Sequence, residues 1–353
     1  MFITNILDII WKKANNATVE DTTGKEYIDF TAGIFAANIG HNNEQVTEAI
    51  REYAPMIHTY TFRNLIRENY IYELCKFTGF EDAALFSAGT EATEAAWKVA
   101  RTFTGKKGVW GLQESFHGKT YGAQIMASRE NSIHYAQPLE STCMMIMEPY
   151  VSPKAMWHSD KTINRIRGHH NDRKLLLCLD EIQAGFGRTG KMFGYQYYDF
   201  LTPDLVCIGK GMGNGFPISG LLGPKKMLSE SVMGLSSTHG GNPLACAVGL
   251  AVIDFMQQHD IIKEAERKGK ILHTLLASFP IITQGKGMIA SLWFETKEQA
   301  DKVVIESAKK GLLLVHTGGT TVKIGPPLTI PDIQLSQGLA ILKEVVKEVM
   351  END

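Results

Sequence analysis

The sequence predicts an α/β fold, a mainly parallel sheet flanked by helices and followed by a smaller α+β section. Three observations carry that expectation. Leu175–Leu179 and Leu205–Ile208 are short, continuously apolar and bounded by turn residues, as strands covered on both faces tend to be. Similar runs at Ala83–Phe86, Val109–Leu112 and Met144–Met147 alternate with helical spacing or loop. From Ile261 the texture changes to amphipathic helices separated by strand-like runs. A chain of 353 residues is long enough to bury a substantial core in one large or two medium domains.

Taken in order, MFITNILDIIWKK has no basic residue ahead of its apolar part and no small-residue cleavage site, so it reads as a short amphipathic helix and not as a signal peptide. Residues 17–40 read as a small β unit around an Asp-Thr-Thr-Gly turn. Asn43–Tyr60 and Asn64–Phe77 carry helical spacing. The Ala83–Phe86 run leads into a helix that continues through Arg101, and Asn164–Arg173 is polar and basic, a solvated helix end. Asn242–Gln258 reads as a helix opened by Asn-Pro. Beyond it come a helix from Ile261, a strand in MIASLWFE, a helix in KEQADKVVIESAKKG, a strand in LLLVH and a terminal helix over Pro331–Met350. These divisions give a large domain at 41–258 and a small domain made of 1–40 with 259–353.

Lys+Arg 36 against Asp+Glu 38 leaves a net charge of −2, with neither a basic footprint for nucleic acid nor an acidic tail. The longest uncharged stretch, Leu235–Ile253, is continuously lipophilic only from Leu244, too short to span a bilayer, so neither nucleic acid nor a membrane is an expected partner. Cys75, Cys143, Cys178, Cys207 and Cys246 form no CxxC pair, and two of them fall inside expected buried strands. That pattern points to reduced thiols in the cytoplasm.

Two polar residues close the apolar runs. Asp180 and Lys210 would emerge at strand ends, where ligands sit in open α/β sheets. Lys210 lies between Gly209 and Gly211, and a desolvated lysine yields the neutral amine that attacks carbonyls, so it is a candidate Schiff-base former. A surface lysine in a glycine-rich loop is the competing reading. Ser87-Ala88-Gly89-Thr90-Glu91, at a helix start, offers backbone N–H groups and a hydroxyl to a phosphate, or is an ordinary cap with Glu at its third position. Phe116 has a flat face for stacking or for the core, and Asp180 is either a charge partner or a strand-end cap. Gly185–Lys191 fits most of a nucleotide P-loop, but Met192 stands where Ser or Thr must ligate magnesium. The glycines after Lys210 do not follow an opening βαβ unit, so neither nucleotide motif holds.

Read together, DEIQAGFGRTG and PDLVCIGKGMGNGFPISG closely resemble the signature of class III aminotransferases, the ornithine/acetylornithine/ω-amino-acid branch of pyridoxal-phosphate enzymes. The resemblance runs from about Asp21 to about Ile330. It implies fold type I (aspartate aminotransferase-like) and pyridoxal 5′-phosphate as cofactor. Amino transfer would run by a ping-pong Schiff-base mechanism between an amine or amino-acid donor and a keto or aldehyde acceptor. On the same resemblance Lys210 and Asp180 are catalytic, Asp180 pairing with the protonated pyridine nitrogen. Ser87, Ala88, Gly89 and Thr90 hold the phosphate, Phe116 stacks on the ring within Phe-His-Gly-Lys-Thr, and Ile182 covers its other face. Gln183 reaches the ring's phenolic oxygen, while His117 and Glu148 complete the cofactor set. Thr238, in STHGGNP, matches the threonine that reaches the neighbouring subunit's phosphate, which implies a homodimer with shared sites.

The chain departs from the family where substrate is held. Glu148-Pro149-Tyr150-Val151-Ser152-Pro153 stands where relatives show Glu-Pro-hydrophobic-Gln-Gly-Glu, and the segment from Ser128 to Thr142 looks shortened. Lys323 replaces the arginine of Arg-x-x-Pro-Pro-Leu that forks onto a substrate carboxylate, a geometry a point charge does not reproduce. Altered carboxylate recognition follows, with Lys323 as a substrate-binding candidate unless another arginine takes over or Lys323 faces solvent. The alternative chemistry is decarboxylation or racemisation of a small amino acid, phosphorylated or not, on the same cofactor. A binding or regulatory protein that keeps the fold is a further class, against which the intact set of Asp180, Gln183, Lys210 and Thr238 argues.

Overall fold

The computed structural model describes residues 7–56, 63–112, 115–127, 140–154, 156–173, 175–231, 235–316 and 318–351. Its centre is a six-stranded sheet in the order Asp82–Phe86, Ser219–Gly223, Leu205–Ile208, Leu176–Asp180, Thr142–Met147, Gly108–Gly111. The four strands from Leu205–Ile208 to Gly108–Gly111 pair in parallel, and Ser219–Gly223 runs antiparallel to both of its neighbours. Every residue of Thr142–Met147, Leu176–Asp180 and Leu205–Ile208 is buried, which is why, apart from the terminal Thr142 and Asp180, their sequences are continuously apolar and not alternating. One face is covered by the helix Gly89–Thr104, whose buried side is Ala92, Ala95, Ala96, Val99 and Ala100. Small side chains let that helix lie close to the sheet. Pro243–Gln258, capped by the Asn242 side chain, packs into the other part of the core.

Ser219–Gly223 escaped the sequence reading because two of its five residues are glycine. A Cβ at Gly223 would stand 2.7 Å from Leu205 Cδ2 and one at Gly220 3.2 Å from the Ala84 carbonyl oxygen. The glycines are there because neighbouring chains come close, and they remove the β-branched signal a strand normally carries.

The rest of the described chain forms two four-stranded sheets and a two-stranded antiparallel pair, Tyr150–Val151 with Met156–Trp157. Trp11–Asn15, Thr18–Asp21 and Glu26–Asp29 form an antiparallel set, extended in parallel by Leu312–Leu313. Ile282–Lys286, Ile289–Trp293, Thr321–Ile324 and Val315–His316 form an antiparallel set behind the helices Ile261–Leu276, Lys297–Lys309 and Asp332–Glu351. The expected strand LLLVH therefore divides, one half going to each sheet.

One expectation is corrected. The N-terminal segment is not a helix where it is described. Trp11–Asn15 is a strand, because Asn16 adopts φ 47° and reverses the chain so that Lys13 reaches Glu20 across the hairpin at 2.7 Å. The shortening expected at Ser128–Thr142 falls mostly on 128–139, outside the described residues. Among the described residues no helix is long and apolar enough to cross a membrane.

Candidate active site

The central sheet brings lining residues to one edge from all six strands, polar ones from five of them. Ser87, Gly89 and Thr90 follow Asp82–Phe86, and Phe116, His117 and Gly118 follow Gly108–Gly111. Glu148 follows Thr142–Met147, Asp180 ends its strand with Ile182 and Gln183 just beyond, and Lys210 comes two residues after Leu205–Ile208. The antiparallel strand enters at the same edge, so Phe216, Pro217 and Ile218 line the cavity immediately before it. Together with Ala36 and Gly215 these residues enclose a cavity of about 250 Å³. The carboxyl ends of parallel strands converge here, as the topology requires.

Each predicted group has a definite neighbourhood. Lys210 has φ 46°, a left-handed conformation that a non-glycine side chain holds only when its surroundings impose it. A Cβ on the following Gly211 would meet Asn38 Nδ2 at 2.3 Å, so the turn has no room for a larger residue. Desolvation holds the Lys210 amine below its ordinary value, with the Asp180 and Glu148 carboxylates pulling the other way. Asp180 is buried, its Oδ2 2.7 Å from His117 Nδ1 and its Oδ1 accepting from the Ile182 N–H at 3.1 Å. His117 Nε2 is buried without a hydrogen-bond partner. Gln183 Oε1 accepts a hydrogen bond from the buried Tyr150 hydroxyl at 2.6 Å.

At the other end of the cavity the Gly89–Thr104 helix begins. Glu91 Oε2 accepts from the Ser87 and Ala88 N–H groups at 3.0 and 2.9 Å, so the capping reading of this segment holds. Gly89 and Thr90, which open the helix, line the cavity. Thr90 Oγ1 pairs with Thr120 Oγ1, which in turn donates to Glu94. A Cβ at Gly89 would stand 2.8 Å from Ile182 Cδ1, so only glycine lets the helix start approach Ile182. Phe116 is half-buried on the wall, and its N–H donates to Glu148 Oε2 at 2.9 Å.

Three predicted residues stand apart from the cavity wall. Ala88 is exposed, and its carbonyl accepts from the Ser219 hydroxyl at 2.7 Å. Thr238 is exposed, next to Ser237, whose hydroxyl bonds Glu91 Oε1 at 2.9 Å. Lys323 neither faces solvent nor lines the cavity. It is 5% exposed, its Nζ donates to the Ser152 carbonyl oxygen at 2.7 Å and lies 4.9 Å from the centre of the Phe35 ring. Burial lowers its ammonium to about 7, Lys210 adding to the effect and Glu148 opposing it. Glu148, buried among the same groups, is pushed up to about 7 by desolvation and then by Asp180.

No arginine lines the cavity among the described residues. The buried Arg188 is committed elsewhere, with Nη2 donating to Asn38 Oδ1 at 2.7 Å and Nη1 to the Met288 and Pro326 carbonyls at 3.2 and 2.5 Å. The sequence reading missed Ala36, Gly118 and the Gly215–Ile218 stretch as wall residues. Only the last carried a signal, the Phe-Pro after a glycine-rich turn, and it went unread because the following strand was not recognised.

The donor set fits pyridoxal phosphate. An acid held by a histidine suits a protonated ring nitrogen, an amide suits a phenolic oxygen, a helix start suits a phosphate, and a desolvated amine between them suits an aldehyde carbon.

Comparison with known proteins agrees. The model of the aminotransferase class-III family matches residues 3–140 and 129–346. An acetylornithine aminotransferase of Listeria innocua is 32% identical, covering 97% of this chain and 95% of its own length. A 5-aminovalerate aminotransferase of Pseudomonas aeruginosa is 30% identical over 98% of this chain and 95% of its own. Among solved structures, an ornithine aminotransferase from Toxoplasma gondii superposes with a TM-score of 0.91 at 22% identity, covering 100% of this chain and 94% of that one. The structural likeness shows a common fold.

Proposed function

The chain belongs to the class-III aminotransferase family, and from that premise we propose that it takes its amino group from a chain-terminal amine, remote from any carboxylate, without a guanidinium fork to grip the substrate. It is a pyridoxal-phosphate-dependent aminotransferase of fold type I, and the relatives' activities set the decarboxylase and racemase alternatives aside. When bound, the cofactor supplies an electron sink for the charge that develops at the donor carbon.

The observation that carries the substrate reading is the Lys323 Nζ bond to the Ser152 carbonyl, with no arginine lining the cavity among the described residues. Two departures from the family pattern, Lys323 and the segment containing Ser152, satisfy each other. A point charge already spent on a carbonyl makes a poor bidentate partner for a carboxylate. Ala36, Phe216, Pro217 and Ile218 leave an apolar stretch of wall that suits an alkyl chain. The names of the Listeria and Pseudomonas relatives support this, since acetylornithine and 5-aminovalerate both carry a free amine at a chain end.

Within this reading Lys210 Nζ takes up the proton from the donor carbon bearing the amine and returns it, which its lowered affinity for protons favours near neutral pH. Asp180, held by His117, keeps a negative charge against the ring nitrogen, and Gln183 donates to the phenolic oxygen. Ser87, Gly89 and Thr90 bind the phosphate, with Phe116 and Ile182 on the two ring faces and Glu148 bracing Phe116 through its N–H. Thr238 reaches a second copy's phosphate in a homodimer, a role its exposure suits. The cytoplasm suits its buried thiols. The boundaries 41–258 and 1–40 with 259–353 serve as domains, supported by the pairing of Leu312–Leu313 with Glu26–Asp29.

The test is a donor panel on the holoenzyme: acetylornithine and 5-aminovalerate against alanine and glutamate, scored by kcat/KM with a keto-acid acceptor. Terminal amines should lead by at least about tenfold, the scale of one substrate contact. Alanine as the best donor would sink the reading.

A further inference from the structure

Directly after Glu148-Pro149 this chain has Tyr150. Tyr150 is 1% exposed, packed against Trp157 with ring centres 5.7 Å apart, and its hydroxyl donates to Gln183 Oε1 at 2.6 Å. Gln183 itself lines the cavity. A glutamine amide has one acceptor end and one donor end, and side-chain rotation interchanges them at little cost when nothing holds either. Here the acceptor end is taken by a phenol packed among Phe35, Ala184, Ile289 and Val315, and burial together with the nearby Glu148, Glu181 and Asp180 carboxylates favours its keeping the proton it donates, against the pull of Arg188. What the amide then offers the cavity is its NH₂ alone.

We propose that Tyr150 is a positioning residue that locks the Gln183 amide with its donor end toward the cofactor's phenolic oxygen. The proposal rests on the cofactor-site reading above and adds a residue that never touches the cofactor. An N–H aimed at that oxygen stabilises the form in which it carries unshared negative charge, so loosening the amide raises the pH at which the cofactor's visible absorbance titrates. The segment does more than this one job. Glu148 Oε2, two residues earlier, accepts from the Phe116 and Ser152 N–H groups at 2.9 and 3.2 Å, so the backbone that carries Tyr150 is itself fixed.

The experiment is a visible pH titration of resting holoenzyme for wild type, Tyr150→Phe, Gln183→Ala and the double variant, with the cofactor dissociation constant of each. Phenylalanine keeps the packing against Trp157 and removes only the hydroxyl. Tyr150→Phe should raise the midpoint by about one pH unit, the scale of one hydrogen bond to a charged group, and weaken cofactor binding several-fold. On the Gln183→Ala background the same change should move neither quantity, because the effect travels through the amide. An unchanged midpoint in Tyr150→Phe, or an equal shift on both backgrounds, would overturn the proposal and leave the cofactor reading intact. A wild type with no visible band after addition of pyridoxal phosphate would overturn both.

Discussion

The cofactor end of the cavity and the wall opposite it are built on different terms. At the cofactor end each polar side chain lines the cavity and is positioned by protein partners: Asp180 by His117 and the Ile182 N–H, Gln183 by Tyr150, Thr90 by Thr120. By contrast Glu148, on the lining, and Lys323, buried and off the lining, are closed on protein groups, Glu148 on two backbone N–H groups and Lys323 on a backbone carbonyl. The first region is arranged for a ligand to complete. The second is already complete, so its departures from the family pattern compensate one another and do not wait for a substrate.

That contrast ranks the effects of substitution. Lys210→Ala removes the only amine in the cavity wall among the described residues and should lower kcat by about 10⁴-fold, with its fold unharmed by circular dichroism. Added ethylamine restoring the rate would show that the lost group is the amine itself. Asp180→Asn removes one member of a buried charge arrangement beside His117, and a fall of about 10²–10³-fold in kcat is expected. If Asp180→Asn kept wild-type kcat, that carboxylate would have no ligand to serve.

The two regions also differ in how legible they were. Asp180, Gln183 and Lys210 could be read because strand ends are marked by abrupt changes from apolar to polar, and Gly209 and Gly211 frame the lysine. The cavity's opposite wall was not, because Phe216–Ile218 lead into a glycine-bearing antiparallel strand with no periodic signal. Lys323 illustrates a second limit. Its absence from the expected arginine pattern was visible, but its partner is a backbone carbonyl 171 positions away, and backbone groups carry no sequence signature. The Trp11–Asn15 strand was misread for a related reason: with exposed Lys12 and Lys13 its pattern resembles an amphipathic helix until Asn16 turns the chain back.

The closed region can be probed through Lys323. Its folded value of about 7 lies below the ordinary 10.5, so between those pH values the unfolded chain binds a proton that the folded one does not. Stability therefore rises with pH through that window, and the full cost of the buried ammonium is present below it. Lys323→Met removes the slope. At about pH 6 the apoprotein variant should gain about 2 kcal/mol, after allowing for the bond lost from Ser152 O. Urea unfolding at about pH 6 and about pH 10 checks this, and a variant that tracks wild type at both would mean that Lys323 is not buried as a charge.

Glu148 gives the most discriminating effect. Desolvation raises its folded value to about 7, against an ordinary 4.5, so across that window the folded chain keeps a proton that the unfolded chain has shed. Wild-type apoprotein should therefore lose stability as pH climbs from 4.5 to 7, and the loss is complete above 7. Glu148→Gln keeps an oxygen to accept the Phe116 and Ser152 N–H groups and has nothing to titrate. The variant should lack that slope and exceed wild type by about 2 kcal/mol at about pH 8. A Glu148→Gln protein less stable than wild type at that pH would mean that the carboxylate is held as an ion pair with the Lys323 ammonium. The wall would then be a charged device open to exchange with a substrate carboxylate, and the distinction between the two regions would fail at its centre.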